Sequence, residues 1–264
     1  MLDGQHQTAA DLLLGAYASR APVPPLIETY PDLDLADAYR IQALQISAWE
    51  RDGRIVVGRK IGLTSPAMQR QMRVTQPDHG VLRDDMVLAD RAAVPVSAFI
   101  APRVEPEIAM VLGRDLTGPG CTVADAAAAV DHLLPSLEII DSRIADWRIS
   151  IGDTIADNAS SGAAVLGDAP VRLGDLNLRL VGCNLYRDGA VVATGAGGAV
   201  FGNPLRALAW LANTLSEFGV TLAAGQVVLP GSVTAAQPVT AGQTWTAHFA
   251  GIGTVTARFV EGDA

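Results

Sequence analysis

The sequence predicts an α+β protein in which an N-terminal helical segment precedes a β-rich body. Apolar residues recur with helical spacing near the start, whereas from about Val81 the apolar runs become short and are separated by turn residues. The 26 glycines and 15 prolines are spread along the chain, which suits short strands joined by tight turns. We expect a helical or mixed segment over 1–75 and a β-rich catalytic domain over 76–264, together forming one continuous unit.

Composition narrows the class of protein. A chain of 264 residues can bury a sizeable core, and its charged fraction of 18% disfavours a disordered or coiled-coil protein. The net charge of −9 would repel a polyanion, which disfavours a nucleic-acid partner. Membrane-spanning apolar runs and signal-peptide features are lacking, and the two distant cysteines, Cys121 and Cys183, favour free thiols. We therefore expect a cytoplasmic protein.

Capping residues and prolines predict the N-terminal helices. Thr8, with Asp11 three residues later, resembles a capping box, and the prolines that begin at Pro22 would end this first helix. A second helix is expected over 34–53, with Asp34 as its first residue. A strand should follow over 54–61, and Ser65-Pro66 predicts a short helix through Met72.

The rest of the chain predicts strands interrupted by two helices. One helix should run from Thr122 to Pro135, and the other should begin after Asn203 and end before Gly219. Asp188-Gly189 predicts a hairpin turn between two strands. The strands expected here are Val104 to Leu112, Leu137 to Ile140, Leu178 to Tyr186, Val191 to Thr194 and Thr244 to Phe249.

Two glutamates on one strand form the first candidate site. Glu105 and Glu107 are two residues apart, so on a strand they project from the same face, while Val104, Pro106 and Ile108 would pack on the core. Neighbouring carboxylates repel one another and are costly to bury, and a divalent cation would relieve both costs. The alternative is an exposed strand face with two solvated carboxylates.

A third carboxylate strengthens the prediction of a metal site. Glu138 lies in an apolar stretch, 135–141, that should be a buried strand, where glutamate is rare unless it is paired or metal-bound. Three oxygen ligands with positions left open describe a Mg²⁺ or Mn²⁺ site. The alternative is a salt bridge from Glu138 to Arg143 or Arg103.

Lys60 is the cationic candidate. It lies in an apolar strand between Gly58 and Gly62, and glycines there allow a backbone or ligand to approach closely. Near a metal and an anionic substrate, such a lysine could bind a carboxylate or transfer a proton. The alternative is a surface lysine with its ammonium in water. The spacing of a phosphate-binding loop is absent from this segment.

Two polar segments complete the candidates. Residues 76–80 predict a turn with Asp78 and His79 at its tip, and the alternative role of Asp78 is to bond its own backbone. The small polar groups over 153–162 could position water or substrate, or could only cap a turn. The remaining histidines show no metal-ligand spacing and are expected to be structural or exposed: His6, His132 and His248.

These segments together resemble the 2-oxopent-4-enoate (2-hydroxypentadienoate) hydratases of the fumarylacetoacetase-like superfamily. The resemblance covers nearly the whole chain and implies a β-rich roll or barrel of the fumarylacetoacetase C-terminal type, with an N-terminal helical segment and homo-oligomeric assembly. The segments that match, in order, are 58–64, Gln76-Pro77-Asp78-x-Gly80, Glu105-x-Glu107, Leu137-Glu138, 156–160 and 202–205.

The resemblance also implies roles for individual residues. It implies three ligands of Mg²⁺ or Mn²⁺, which are Glu105, Glu107 and Glu138, and three catalytic residues, which are Lys60, Asp78 and Ser160. His79 departs from the aromatic residue often found at its position, which would alter the preference for the substrate side chain. No other cofactor is implied.

The implied activity is that of a hydro-lyase in the meta-cleavage catabolism of aromatic compounds. A 2-hydroxy-2,4-dienoate would bind the metal through its carboxylate and 2-oxygen, isomerise to an unsaturated 2-oxoacid, and take up water at C4 to give a 4-hydroxy-2-oxoacid. Lys60 would balance charge and assist proton transfer, while Asp78 and Ser160 would position or deprotonate water. An association with a downstream aldolase or a sister decarboxylase is a further expectation.

Three other functions stay open at this point. A 4-oxalocrotonate decarboxylase would use the same carboxylates, but its pattern has apolar or tyrosine residues where Asp78 stands here. A C–C bond hydrolase would need a histidine to activate water, and His79 is the nearest candidate. A non-catalytic partner subunit would not require Lys60, Asp78 and three carboxylates together.

Overall fold

The computed structural model of the chain describes residues 1–65, 69, 74, 76–174 and 176–262. It confirms an α+β fold with helices first and a β-rich body after them. The helices are Asp3–Ser19, Leu26–Thr29, Leu35–Arg51, Val123–Ala129, Ile151–Ala156 and Pro204–Ser216. The strands are β1 Val56–Gly62, β2 Asp78–Arg83, β3 Val87–Ala89, β4 Ala93–Pro95, β5 Arg103–Leu112, β6 Val130–Ile140, β7 Ser161–Leu166, β8 Gly182–Arg187, β9 Ala190–Ala196, β10 Val227–Leu229, β11 Gln237–Pro238, β12 Thr244–Phe249 and β13 Gly253–Val260.

The strands form two mixed sheets. The larger sheet has the order β2-β1-β10-β5-β6-β7-β3, with β11 also paired to β5, and the smaller has the order β4-β13-β12-β8-β9. The β1–β10, β3–β7 and β4–β13 pairs are parallel and the others are antiparallel. Among the described strands neither sheet closes on itself, so the body is a roll of two open sheets and not a closed barrel.

The main core lies between the two sheets. Val104, Ile108 and Met110 of β5 contribute one side of it, and Trp245 and Phe249 of β12 contribute to the other. Because side chains alternate along a strand, the odd-numbered residues of the first half of β5 project from the opposite face of the larger sheet. The odd-numbered glutamates of β5 therefore face away from the main core.

The N-terminal helices pack against the end of the larger sheet at β2. Their own apolar cluster includes Leu13 and Ile41 and extends to Ile155. Within it the Gln42 side-chain amide donates to the carbonyls of His79 and Ile155, at 2.9 and 2.8 Å. Buried amides that bond to backbone carbonyls in this way hold a helix against its neighbours. In the described part of the chain, no helix is long and apolar enough to cross a membrane.

The first helix begins earlier than the capping pattern predicts. It starts at Asp3, and the Leu2 amide donates to Gln5 Oε1 at 2.8 Å. The Thr8 hydroxyl instead donates to the Gly4 carbonyl at 2.9 Å inside the helix. A threonine that bonds one turn back within a helix carries the same sequence signal as an N-cap, which explains the error.

The predicted helix from Thr122 to Pro135 is wrong in its second half. Thr122 does cap the helix, but the helix ends at Ala129 and residues 130–140 are strand β6. The whole of β6 pairs with β5, from Leu112 opposite Val130 to Arg103 opposite Ile140. Long-range pairing in a central sheet position overrides the local preference of the alanine-rich run.

Of the remaining secondary-structure predictions, some are confirmed and one strand begins later than expected. Asn203 caps the helix Pro204–Ser216 as predicted, and Asp188-Gly189 forms the hairpin turn, with both residues at positive φ. The strand expected over 178–186 starts only at Gly182, because 178–180 forms a 3-10 turn. The short helix expected through Met72 falls largely outside the described residues. The domain boundary at residue 75 stays a prediction.

Candidate active site

Three carboxylates meet on the face of the larger sheet that points away from the main core. Glu105 of β5 lies directly opposite Glu138 of β6, and Glu107 follows two residues along β5. One carboxylate oxygen from each of the three lies within 4.8 Å of the others. The alternative of an exposed strand face with two solvated carboxylates is therefore wrong, since Glu107 and Glu138 are buried and Glu105 is half-buried.

The electrostatics of this cluster are unfavourable without a cation. Burial raises the pKa of Glu105 to about 7, and the Glu138 carboxylate adds to the shift. Burial and the same neighbour raise the pKa of Glu107 well above its usual range. Neither Glu138 oxygen has a well-formed hydrogen bond from a described residue. Carboxylate oxygens that are close together and buried, with too few hydrogen bonds to balance their charge, fit a divalent cation.

A backbone amide just after β10 holds the Glu107 carboxylate in place. Its Oε2 accepts a hydrogen bond from the Gly231 amide at 2.7 Å, just after β10. Gly231 has a φ of 123°, and a β-carbon there would overlap the Thr64 hydroxyl. Gly231 was not among the residues predicted from the sequence. A Pro-Gly pair directly after a short apolar strand was the signal that could have found it.

Lys60 is part of the carboxylate cluster and is not a surface lysine. Its Nζ lies 3.3 Å from Glu138 Oε1, and both side chains are buried. Burial lowers the pKa of Lys60, but the charges of Glu138 and Asp78 outweigh it, and the net shift is upward. The salt bridge of Glu138 to Arg143 or Arg103 is not formed; Arg143 pairs instead with Asp157.

Asp78 lies in a strand and not at the tip of a turn. It begins β2, whose antiparallel pairing with β1 places Asp78 opposite Gly62 and Gly80 opposite Lys60. Pro77 stands just outside the strand, where its missing N–H is tolerated, so the local turn signal was misleading. Burial raises the pKa of Asp78, whereas the charge of Lys60 and hydrogen bonds from the Gly62 amide and the Thr154 hydroxyl lower it, with a net upward shift.

Ser160 reaches the same cavity from a strained turn. Asn158, Ala159 and Ser160 are three consecutive residues with positive φ, at 52°, 51° and 55°. Each such residue costs on the order of 1–3 kcal/mol and persists only where its surroundings impose it. The Ser160 hydroxyl lies 3.2 Å from that of Thr154, which also contacts Asp78. The polar segment 153–162 therefore joins Ser160 to Asp78.

The cavity over these groups measures about 590 Å³. Its polar lining includes Lys60, Asp78, Glu105 and Ser160, and Glu107 and Glu138 lie behind Glu105. Apolar side chains also line the cavity and form what we call the apolar wall: Ile140, Trp147, Ile149 and Val233. The Arg103 guanidinium stacks over Trp147 at 4.3 Å from the ring centre. This wall was not predicted from the sequence, because its residues come from separate segments of the chain.

His79 lies away from the cluster. On β2 it points to the face opposite Asp78, where its ring stacks on Tyr39 with a centroid separation of 4.6 Å. Burial lowers its pKa to about 3, so the imidazole is neutral. The water-activating histidine that a C–C bond hydrolase would need is therefore not supplied by His79. Of the other histidines, His6 pairs with Asp37 and His132 with Asp131.

Comparison with known proteins agrees with this arrangement. Residues 59–260 match the family described as fumarylacetoacetate (FAA) hydrolase, C-terminal. The chain belongs to the fumarylacetoacetate hydrolase family. The resemblance and the fold class predicted from the sequence are both confirmed by this match.

Within the fumarylacetoacetate hydrolase family, the chain is similar to hydratases over almost its full length. It is 46% identical to the 2-keto-4-pentenoate hydratase of Paraburkholderia xenovorans, covering 98% of this chain and 96% of that protein. It is 41% identical to the 2-hydroxyhexa-2,4-dienoate hydratase of Comamonas testosteroni, covering 97% of each.

A solved structure of the same family superposes closely. It is the 4-oxalocrotonate decarboxylase from Pseudomonas putida G7, complexed with magnesium and adipate. It is 36% identical, with a TM-score of 0.96 over 98% of this chain and 99% of that one. The divalent cation in that relative agrees with the oxygen-donor cluster found here. The specific ion and the role of each residue stay predictions for this chain.

Proposed function

We propose that this protein is a metal-dependent hydro-lyase that adds water to a 2-hydroxy-2,4-dienoate and forms a 4-hydroxy-2-oxoacid in meta-cleavage catabolism. Relatives at 41–46% identity are hydratases, which supports this reaction class. The single observation that carries the proposal is the position of Asp78, which is buried beside the carboxylate cluster but outside it. Hydration needs such a water-handling group in addition to metal ligands.

The metal would be held by Glu105, Glu107 and Glu138, and we favour Mg²⁺ or Mn²⁺ because all three ligands are carboxylate oxygens. When bound, a cation there would polarise the 2-oxygen of the substrate. The rest of the chemistry falls to the side chains around it. The positive charge of Lys60, already paired with Glu138, would offset the negative charge that the substrate carboxylate and enolate bring into the cavity.

Proton movements can be assigned to named groups. In the first step the 2-hydroxyl loses its proton and C5 gains one, which gives the unsaturated 2-oxoacid; Lys60 would assist this transfer. In the second step the oxygen of water bonds to C4 and a proton is delivered to C3. Asp78, with a pKa raised by burial, would orient this water and accept its proton. The hydroxyls of Ser160 and Thr154 would fix the water through hydrogen bonds.

The substrate tail would meet the apolar wall of the cavity. Ile149 and Trp147 offer no hydrogen-bonding partner to a terminal carboxylate except the Trp147 N–H, which already donates to the Ala101 carbonyl at 3.0 Å. The apolar side chains of this wall therefore suit a short alkyl tail. The Arg103 guanidinium, which lines the same cavity over Trp147, would instead pair with a tail that ends in a carboxylate.

The alternative activity is decarboxylation of 4-oxalocrotonate. The 36% identical decarboxylase supports it, because the same fold and a divalent cation serve that reaction in the relative. We rank it second because Asp78 departs from the decarboxylase pattern and the hydratase relatives are more similar in sequence.

Direct turnover separates the two activities. Purified protein with Mg²⁺ should consume 2-hydroxypenta-2,4-dienoate or its methyl homologue and form the 4-hydroxy-2-oxoacid, detected by mass spectrometry. It should release little CO₂ from 4-oxalocrotonate. Release of CO₂ with an untouched dienoate would reverse the ranking.

Assembly and location are further parts of the proposal. We expect a homo-oligomer in the cytoplasm that associates with a downstream aldolase or a sister decarboxylase, as the family resemblance implies. Light scattering tests the first point: a 27.5 kDa particle at micromolar concentration would reject a homo-oligomer.

A further inference from the structure

The strained turn that presents Ser160 is held by one buried arginine. Arg143 Nε donates to Asp157 Oδ1 at 2.5 Å, and its backbone N–H donates to Oδ2 of the same carboxylate at 3.0 Å. Its two terminal nitrogens donate to the Asp157 and Ser161 carbonyls, each at 3.0 Å. The side chain of Arg143 is 2% exposed and that of Asp157 is fully buried. All four bonds thus go to the residues that flank 158–160.

The first residue of the same turn is also hydrogen-bonded to the strand that carries Asp78. Asn158 exchanges two hydrogen bonds with Val81 of β2, at 2.8 and 3.0 Å. The Asn158 carbonyl also packs on Gly80 so closely that a β-carbon there would overlap it. The turn therefore connects Arg143 on one side with the segment 78–81 on the other.

We infer that Arg143 is a positioning residue for Ser160 and Asp78. This inference rests on the proposed hydration. Three left-handed non-glycine residues in a row do not persist without imposed contacts, and the guanidinium supplies a fork of donors that no other side chain reproduces. A lysine could keep the charge beside Asp157, but its donors all lie on one nitrogen and could not reproduce the planar fork that reaches Asp157 Oδ1 and both flanking carbonyls. Arg143 therefore affects the reaction only by holding the turn that positions Ser160 and Asp78.

The surroundings of Arg143 offer a way to test this role. A cavity of about 220 Å³ is lined by Tyr17, Arg83, Asp141 and Arg143. Among the described residues it shares no lining residue with the active-site cavity. A small guanidinium ion could therefore occupy the space left by a truncated Arg143 without entering the active site. Arg83 lines the same cavity and bonds to Asp85 instead of to the turn, which makes it the matched control.

The experiment compares Arg143→Lys, Arg143→Ala and Arg83→Lys in the full-length enzyme. Arg143→Lys should lower kcat for hydration by roughly 10–100-fold, because misplacing a reacting group by about 1 Å has costs of that size. KM and the affinity for Mg²⁺, measured by calorimetry, should stay within about twofold, since the three carboxylates lie on β5 and β6 and not on the turn. Millimolar methylguanidinium should raise the kcat of Arg143→Ala and leave Arg83→Lys and wild type unchanged.

A crystal structure of Arg143→Lys gives a readout that does not depend on activity. Residues 158–160 should leave the left-handed region, and the Ser160–Thr154 contact should be lost. An unchanged turn, an unchanged kcat, or the absence of rescue by methylguanidinium in a folded Arg143→Ala would each overturn the inference. If wild type itself does not hydrate the dienoate, the proposed function fails while the structure of the turn still decides the role of Arg143.

Discussion

Gly62 and Asp78 face each other across β1 and β2 with no room for a side chain between them. A β-carbon added to Gly62 would overlap Asp78 Oδ1. The Gly62 backbone amide and the charge of Lys60, two residues away on the same face of β1, both lower the pKa of Asp78 against the effect of burial. The glycine therefore lets the carboxylate lie flat against the sheet beside the ammonium.

Gly62→Ala should displace Asp78 while leaving the three glutamates in place. We expect kcat for hydration to fall by about 10–100-fold, because the carboxylate would move by roughly the radius of a methyl group. Calorimetry should find Mg²⁺ affinity nearly unchanged. Gly15→Ala is the matched control: no atom lies within 4 Å of its added methyl group, and alanine favours the helix. Equal activities of the two variants would mean that the position of Asp78 is unimportant.

Glu107→Gln tests the metal ligands. The glutamine keeps the volume and can still accept the Gly231 N–H, but it removes one ligand charge. Calorimetric affinity for Mg²⁺ or Mn²⁺ should fall and turnover should be abolished, whereas the exposed Glu28→Gln should behave as wild type. Full activity of Glu107→Gln after treatment with a chelator would show that the cation does not bind there.

Trp147→Ala tests the apolar wall. Removing the indole should enlarge the space for the substrate tail and shift the ratio of kcat/KM toward longer alkyl dienoates. One methylene in an apolar pocket is worth about 1–3 kcal/mol, so a shift of about tenfold or more is expected per added carbon. Competition between the pentadienoate and its longer homologues measures this ratio directly. An unchanged ratio would place the tail elsewhere in the cavity.

The carboxylate site was predictable because it follows from two local patterns. The i, i+2 spacing of Glu105 and Glu107 fixed their common face, and the apolar neighbours of Glu138 indicated burial. The structure adds the register of β5 and β6, which places Glu105 opposite Glu138. Register between distant strands depends on the whole sheet and cannot be deduced from either segment alone.

Features that depend on contacts between distant parts of the chain were not predictable from the sequence. Pro77-Asp78 carries turn chemistry, yet pairing with β1 makes Asp78 the first residue of a strand. Lys60 and Glu138 are distant in sequence and on non-adjacent strands, so their 3.3 Å contact has no sequence signal. The left-handed turn at 158–160 contains no glycine that would signal it in the sequence. Contacts from Arg143 and Val81 impose its conformation instead.

The most direct test of the account is the rate of each step in Asp78→Asn. Asparagine preserves the shape but cannot accept a proton from water, so hydration should slow by about 10²–10⁴-fold, with metal affinity nearly intact. Conversion of the dienoate to the unsaturated 2-oxoacid, followed by absorbance, should be retained far better than hydration. The exposed Asp168→Asn should match wild type in both steps. Equal loss of the two steps in Asp78→Asn, or unchanged hydration, would contradict the central claim that Asp78 handles the water.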